Sequence, residues 1–142
     1  MKLTNNFYLQ EFVPKSYYNK MKDNATILID DRMVKLAQFV RDRYKKPIYI
    51  NTWHYVSEGA FQYRGYRPAN CKYGAKLSQH KYGRAFDFHI DIPLTEVFAD
   101  IILNKDKFMA KGLRAIESIE RSKTWIHLDV RNIPNASDVL IF

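Results

Sequence analysis

Hydrophobic positions along the chain change their spacing several times, and each change marks an element. Met33, Leu36, Ala37, Val40 and Tyr44 recur three and four residues apart, which lines one face of a helix. Asp30 and Asp31 stand just ahead and offer a carboxylate to the unpaired amides of a first turn. The spacing predicts a helix over 30–44, stopped by Lys45-Lys46-Pro47, because proline brings no amide hydrogen and disfavours helical geometry before it. The run Ile48-Tyr49-Ile50-Asn51-Thr52 then predicts a strand entered directly from that turn. Between Arg84 and Asp91 the period drops to two, so Phe86, Phe88 and Ile90 face one way and Asp87, His89 and Asp91 the other. Pro93, with Thr95 as cap, opens a helix carrying Val97, Phe98, Ile101 and Ile102 on its apolar face.

Other stretches have weaker patterns. Residues 1–26 are polar and aromatic, and Phe7, Leu9 and Phe12 predict an N-terminal arm packed over the core. Residues 53–79 carry Gly59, Gly65, Pro68 and Gly74 without a period, which predicts a long irregular loop of the kind that builds a site. A short helix is expected at 105–111, ended by Gly112. Leu113–Ser118 and Thr124–Val130 read as a β-hairpin turning near Arg121 and Ser122. The order helix, strand, loop, strand, helix, hairpin predicts an α+β fold: a small antiparallel sheet with helices packed on one side. The length of 142 residues and the lack of repeats or linkers predict a single domain over 1–142.

Composition narrows the classes. An apolar share of 46% with 15% aromatic residues excludes a disordered chain. No stretch approaches the roughly 18–20 apolar residues of a membrane span, and Met1 to Asn6 lack the apolar core of a signal peptide, so a soluble protein without membrane partners is expected. The 23 Lys and Arg against 15 Asp and Glu leave a charge of +8, which favours an acidic partner such as nucleic acid, lipid headgroups or a bacterial cell wall. Nucleic acid ranks lowest, since there is no zinc-finger spacing, RNP-like aromatic motif or basic helix. Cys71 is alone, so it forms no internal disulfide, and it reads as an unreactive thiol.

Two segments concentrate the chemistry. His80 and Asp87 flank Lys81-Tyr82-Gly83-Arg84-Ala85-Phe86, and His127 lies in Thr124-Trp125-Ile126-His127-Leu128-Asp129. Two imidazoles and a carboxylate form a normal ligand set for catalytic zinc, leaving a fourth position for water. Gly83 lets the backbone turn so that His80 and Asp87 converge. His127 shares a strand face with Trp125 and Asp129. His89, on the face of Asp87, is a competing ligand, whereas His54 reads as structural.

Leu77-Ser78-Gln79-His80-Lys81-Tyr82-Gly83-Arg84-Ala85-Phe86-Asp87-Phe88 matches Ser-x-His-x-x-Gly-x-Ala-x-Asp, and Trp125-Ile126-His127 matches a later Trp-x-His segment. Together they resemble the zinc D,D-carboxypeptidase and endopeptidase family, peptidase family M15, which shares its fold with the Hedgehog signalling domain. Asn6-Phe7-Tyr8-Leu9-Gln10-Glu11-Phe12 and Ile29 to Asn51 extend the resemblance over roughly 6–132. It is to the small single-domain members, often bacteriophage enzymes that cut the peptide stems of murein. The resemblance implies a Zn2+ cofactor held by His80, Asp87 and His127, a peptidoglycan peptide as substrate, and a monomer. It also implies action on the cell wall from host cytoplasm or virion.

A zinc peptidase needs a carboxylate to take the proton of the attacking water and pass it to the leaving amine. Many relatives place that acid three residues before the last histidine, where this chain has Thr124. Glu117, Glu120 and Asp129 are the candidates. The hairpin would set Glu117 across from Ile126 and His127, Glu120 at the solvated turn, and Asp129 two residues beyond His127 as a supporting partner. Glu117 is the choice. The resemblance further implies an upstream arginine that polarises the scissile carbonyl or holds a substrate carboxylate, and Arg64 and Arg67 are the candidates. The reading is a zinc metallopeptidase. Its alternative is a non-catalytic zinc-containing relative, a phage structural or wall-binding protein, which the acid missing at position 124 supports.

Overall fold

In the computed structural model, which describes residues 1–142, the N-terminal arm carries more structure than its sequence predicts. A 3-10 turn spans Leu9–Glu11, helix α1 spans Lys15–Met21, and a second 3-10 stretch covers Lys22–Leu28. Phe7, Leu9 and Phe12 are buried, as their pattern implies. Helix α1 buries no residue completely, and its seven residues pack only Tyr18 and Met21, partly buried, against Leu9, Val13 and Ala25, too short a stripe to show a period.

Helix α2 spans Asp31–Tyr44, and Asp30 caps it by accepting from the Arg32 amide at 2.9 Å. Lys45 ends it in the left-handed region at φ +54°, two residues before Pro47. Strand β1 is only Ile48–Tyr49, shorter than the β-branched run predicts. Beyond Tyr49 the backbone leaves the sheet: the Asn51 amide donates to the Glu11 carbonyl and the Thr52 amide to Phe61. No helix or strand interrupts 53–78, in agreement with the long-loop reading.

Strand β2 is Ala85–Ile90, α3 is Leu94–Leu103, and α4 is Lys105–Met109. Pro93 rather than Thr95 precedes α3, and its side chain makes no capping bond. Strands β3 (Ala115–Ile116) and β4 (Ile126–Asp129) pair antiparallel with Ile116 opposite Leu128. The sheet order is β1-β2-β4-β3-β5, where β5 is Leu140–Ile141. β5 runs parallel to β3, so the sheet is mixed and the expectation of an all-antiparallel sheet is corrected. The physical reason is that the chain leaving β4 skips over β3 at the same end of the sheet, so β5, running antiparallel to β4, pairs parallel with β3 on its far side. The protein is thus an α+β fold with a five-stranded mixed sheet.

The main core joins Met33, Leu36 and Val40 of α2, Val97 and Ile101 of α3, and Phe86, Phe88, Ile126 and Leu128 of the central strands. Alternation in β2 and β4 therefore sends Asp87 and His127 to the opposite face from these apolar neighbours. They sit directly across from each other in the register. No helix is long and apolar enough to cross a membrane.

Candidate metal centre

Each member of the site arrives by a different local device. His80 lies in a 3-10 turn, Gln79–Tyr82, whose N-terminal Ser78 side chain accepts from the His80 amide. Gly83 closes that turn at φ +67°, and a Cβ there would collide with the Leu28 carbonyl, so only glycine brings the chain round into β2. Asp87 and His127 are a cross-strand pair of β2 and β4. His80, Asp87 and His127 are all buried, and one ligand atom from each lies within 4.8 Å of the others.

Hydrogen bonds on the outer edges of both rings decide which nitrogens face inward. His80 Nδ1 lies 2.8 Å from the Gly65 carbonyl, which can only accept, so Nδ1 carries the proton. His80 Nε2 then faces Asp87 Oδ1 at 3.1 Å. His127 Nε2 lies 3.0 Å from Asp129 Oδ2, leaving Nδ1 to face the same Asp87 Oδ1 at 2.9 Å. Asp129 is in turn gripped by Arg131, with Nε 2.8 Å from Oδ1 and Nη2 2.6 Å from Oδ2. Carboxylate or carbonyl behind an imidazole is the usual arrangement that orients a metal-ligating histidine.

The electrostatics test whether the residues fit a cation. Burial holds the His80 imidazole below its ordinary range, against the attraction of Asp87, so the ring is neutral. A neutral His80 with its proton on Nδ1 aims a lone pair at a carboxylate oxygen, and two acceptors 3.1 Å apart in a buried site call for a positive charge between them. Burial opposes the charged form of His127 too, but hydrogen bonds to Asp129 and Asp87 outweigh it and bring the imidazolium up to about 9, so a cation at Nδ1 would take the place of the proton shared with Asp87. Burial would raise Asp87; His80 and His127 override it and hold the carboxyl well below the usual carboxylate range. The donor set of two nitrogens and one oxygen could hold a metal ion, and it suits zinc as well as non-haem iron(II).

A cavity of 520 Å³ lies over the triad, with Arg67, Glu117, Trp125 and Phe142 among its walls. A second of 510 Å³, walled by Phe61, Tyr63, Arg64 and Thr124, shares Arg67, Tyr73, Asp87 and Trp125 with the first. Arg67 touches the triad, donating from Nη2 to Asp87 Oδ2 at 3.2 Å and from Nε to the Tyr63 carbonyl at 2.6 Å. Arg64 sits in the second cavity instead, its guanidinium 3.6 Å above the Phe61 ring and Nη1 2.7 Å from His89 Nδ1.

The three acids fall in different places. Glu117 is half-buried in the first cavity, and its amide donates to the His127 carbonyl at 3.3 Å, so it stands opposite His127. Glu120 is exposed outside both cavities. Asp129 is fully buried with both oxygens taken. His89 stacks on Tyr49 with ring centroids 4.9 Å apart and does not join the triad. His54 packs between Trp53 and Tyr55, and Cys71 is half-buried in the loop.

Phe142 and the Gly65 carbonyl are the contributors that sequence reasoning missed. The Phe142 ring meets His127 edge-on with centroids 5.4 Å apart, and nothing local in the sequence signals it. Arg131 was within reach, since it follows Asp129 at the spacing that keeps two residues on one strand face. Comparison with protein-family models, with curated proteins and with solved structures finds no match to this chain.

Proposed function

We propose that the protein is a zinc-dependent metallopeptidase of the Hedgehog/D,D-peptidase fold that hydrolyses an amide bond in peptidoglycan stem peptides. One observation carries the reading: both buried imidazoles have their outer nitrogens engaged by acceptors, so their inner nitrogens converge with Asp87. The motifs around His80, Asp87 and His127, which resemble family M15, supply the substrate class.

Bound at His80 Nε2, Asp87 Oδ1 and His127 Nδ1, zinc would supply Lewis acidity toward a carbonyl and acidify a water molecule. The chain's own residues do the rest. Asp129 and the Gly65 carbonyl fix the two imidazoles. Glu117, in the cavity wall and with its carboxylate held only by a 3.9 Å contact to Arg121, takes the proton of the attacking water and returns it to the leaving amine. Arg67 steadies the carbonyl oxygen as charge develops, and Arg64 offers a second guanidinium one cavity along. The net charge of +8 concentrates the protein on an anionic wall.

The test is metal analysis of the purified protein followed by mass spectrometry of defined muropeptides, with and without chelator. Stoichiometric zinc and chelator-sensitive product masses are expected, and those masses identify the bond. Iron in place of zinc, or no metal at all, would overturn the reading. Zinc without any new product mass would favour the non-catalytic wall-binding alternative.

A further inference from the structure

Asn51 is completely buried, and an amide so placed needs partners for its donors and its acceptor. It finds them on two different segments. Nδ2 donates to the Val13 carbonyl at 3.2 Å, Oδ1 accepts from the Arg64 amide at 2.9 Å, and the Asn51 backbone amide donates to Glu11 at 3.1 Å. One side chain thereby ties the N-terminal arm to the loop that follows β1.

The far side of that loop holds the metal ligands. The Arg64 carbonyl accepts from the Asp87 amide at 2.8 Å, and the Gly65 carbonyl accepts from His80 Nδ1 at 2.8 Å. The Arg67 amide donates to the His80 carbonyl at 3.0 Å, while its guanidinium holds Asp87 Oδ2. Arm and loop also meet backbone to backbone: the Tyr66 amide donates to the Phe12 carbonyl at 2.7 Å. A Cβ on Gly65 would collide with that carbonyl. Residues 64–67 are therefore clamped between Asn51 and the arm on one side and two metal ligands on the other.

The direction and tautomer of the His80 ring follow from where the Gly65 carbonyl lies, and that carbonyl is one residue from the amide that Asn51 holds. Groups behind a ligand govern affinity because they fix its orientation before the ion arrives. We propose that Asn51 is a positioning residue of the metal centre, acting through the Arg64 amide and Gly65 carbonyl on His80. The inference rests on the metal reading above and assigns the arm a part in it.

A purely structural role is separable by experiment, because Val13 also accepts a bond from Trp53 Nε1 at 2.9 Å, which fastens the arm without touching residue 64. Asn51→Ala and Trp53→Phe are compared for zinc affinity by competition with a chromophoric chelator, for the visible spectrum of the cobalt(II)-loaded form, and for thermal unfolding. Both should unfold at lower temperature. Only Asn51→Ala should weaken zinc, by about 10–100-fold, and alter the cobalt spectrum. A folded Asn51→Ala protein with unchanged zinc affinity and spectrum overturns the inference while leaving the metal reading standing. A wild-type protein that binds no zinc overturns both. Should Asn51→Ala fail to fold, the wild type decides: zinc loading should shift the Asn51 side-chain amide resonances and slow hydrogen exchange at the Arg64 amide, and unchanged signals overturn the inference.

Discussion

Glu117, just past the end of β3, and Asp129, on the neighbouring β4, carry the same chemical group, and their partners give them different surroundings. Asp129 spends both oxygens on His127 and Arg131 and has no free site for a travelling proton. Glu117 faces the cavity with its carboxylate loosely paired. Under the proposed function, Glu117→Gln keeps size and packing but cannot accept the proton, so zinc should stay bound while the hydrolysis rate falls by about 10²–10⁴. Glu120→Gln should leave the rate nearly unchanged, and Asp129→Asn should lower zinc affinity by about 10–100-fold. A Glu120→Gln variant without activity would move the proposed base to the turn. The ligands are tested by metal analysis: His80→Ala or Asp87→Ala should abolish stoichiometric zinc, whereas His89→Ala should retain it, because His89 is engaged by Arg64 and Tyr49. Full zinc in both ligand variants would remove the triad from consideration.

At the scale of elements, the turn joining His80 to β2 makes a sharper demand than ordinary loop geometry. Gly83 and Gly59 share nearly the same positive φ, +67° and +64°, but a Cβ at Gly59 meets nothing within 4 Å while one at Gly83 meets the Leu28 backbone. Left-handed strain alone costs about 1–2 kcal/mol. Gly59→Ala should lose roughly that much stability, and Gly83→Ala clearly more, in denaturant unfolding; equal losses would show that the turn absorbs the added carbon. The same contrast explains what was legible in the sequence. Helix α2 buries one face and strand β2 alternates apolar with polar residues, so their period shows, and His80, Asp87 and His127 sit on or beside such segments. β5 has two exposed residues and exists only through its pairing with β3, a non-local contact that leaves no local pattern. β1 stops early because Asn51 and Thr52 turn their hydrogen bonds to the arm and loop. The Gly65 carbonyl was invisible for a simpler reason: a backbone oxygen belongs to every residue and has no letter of its own.

For the whole molecule, the arm also carries a group whose proton is linked to folding. Glu11 is partly buried, with Oε2 accepting from the Tyr8 amide at 2.8 Å, in a pocket formed with Arg41, Tyr49 and Tyr55. Burial pushes its carboxyl up to about 7, with the Tyr8 amide pulling only partly the other way, against an ordinary value of 4.5. The folded state therefore holds a proton that the unfolded chain releases. Stability from this group is fully present below pH 4.5 and is lost as pH rises through 7. Asp30 and Asp100 act in the opposite sense: arginine hydrogen bonds hold both below 3.8, and their contribution is lost as pH falls. Because Glu11 is partly solvated, its effect after screening is about 1–2 kcal/mol, or roughly 2–8 °C in melting temperature for a domain of this size. Glu11→Gln keeps an acceptor for the Tyr8 amide and removes the titration. Relative to the wild type, its melting temperature should climb between pH 5 and pH 8, within the window set by 4.5 and about 7. Parallel melting curves for the two proteins across that range would mean that Glu11 is solvated enough to ionise freely, and that the arm packs more loosely against the loop than its hydrogen bonds imply.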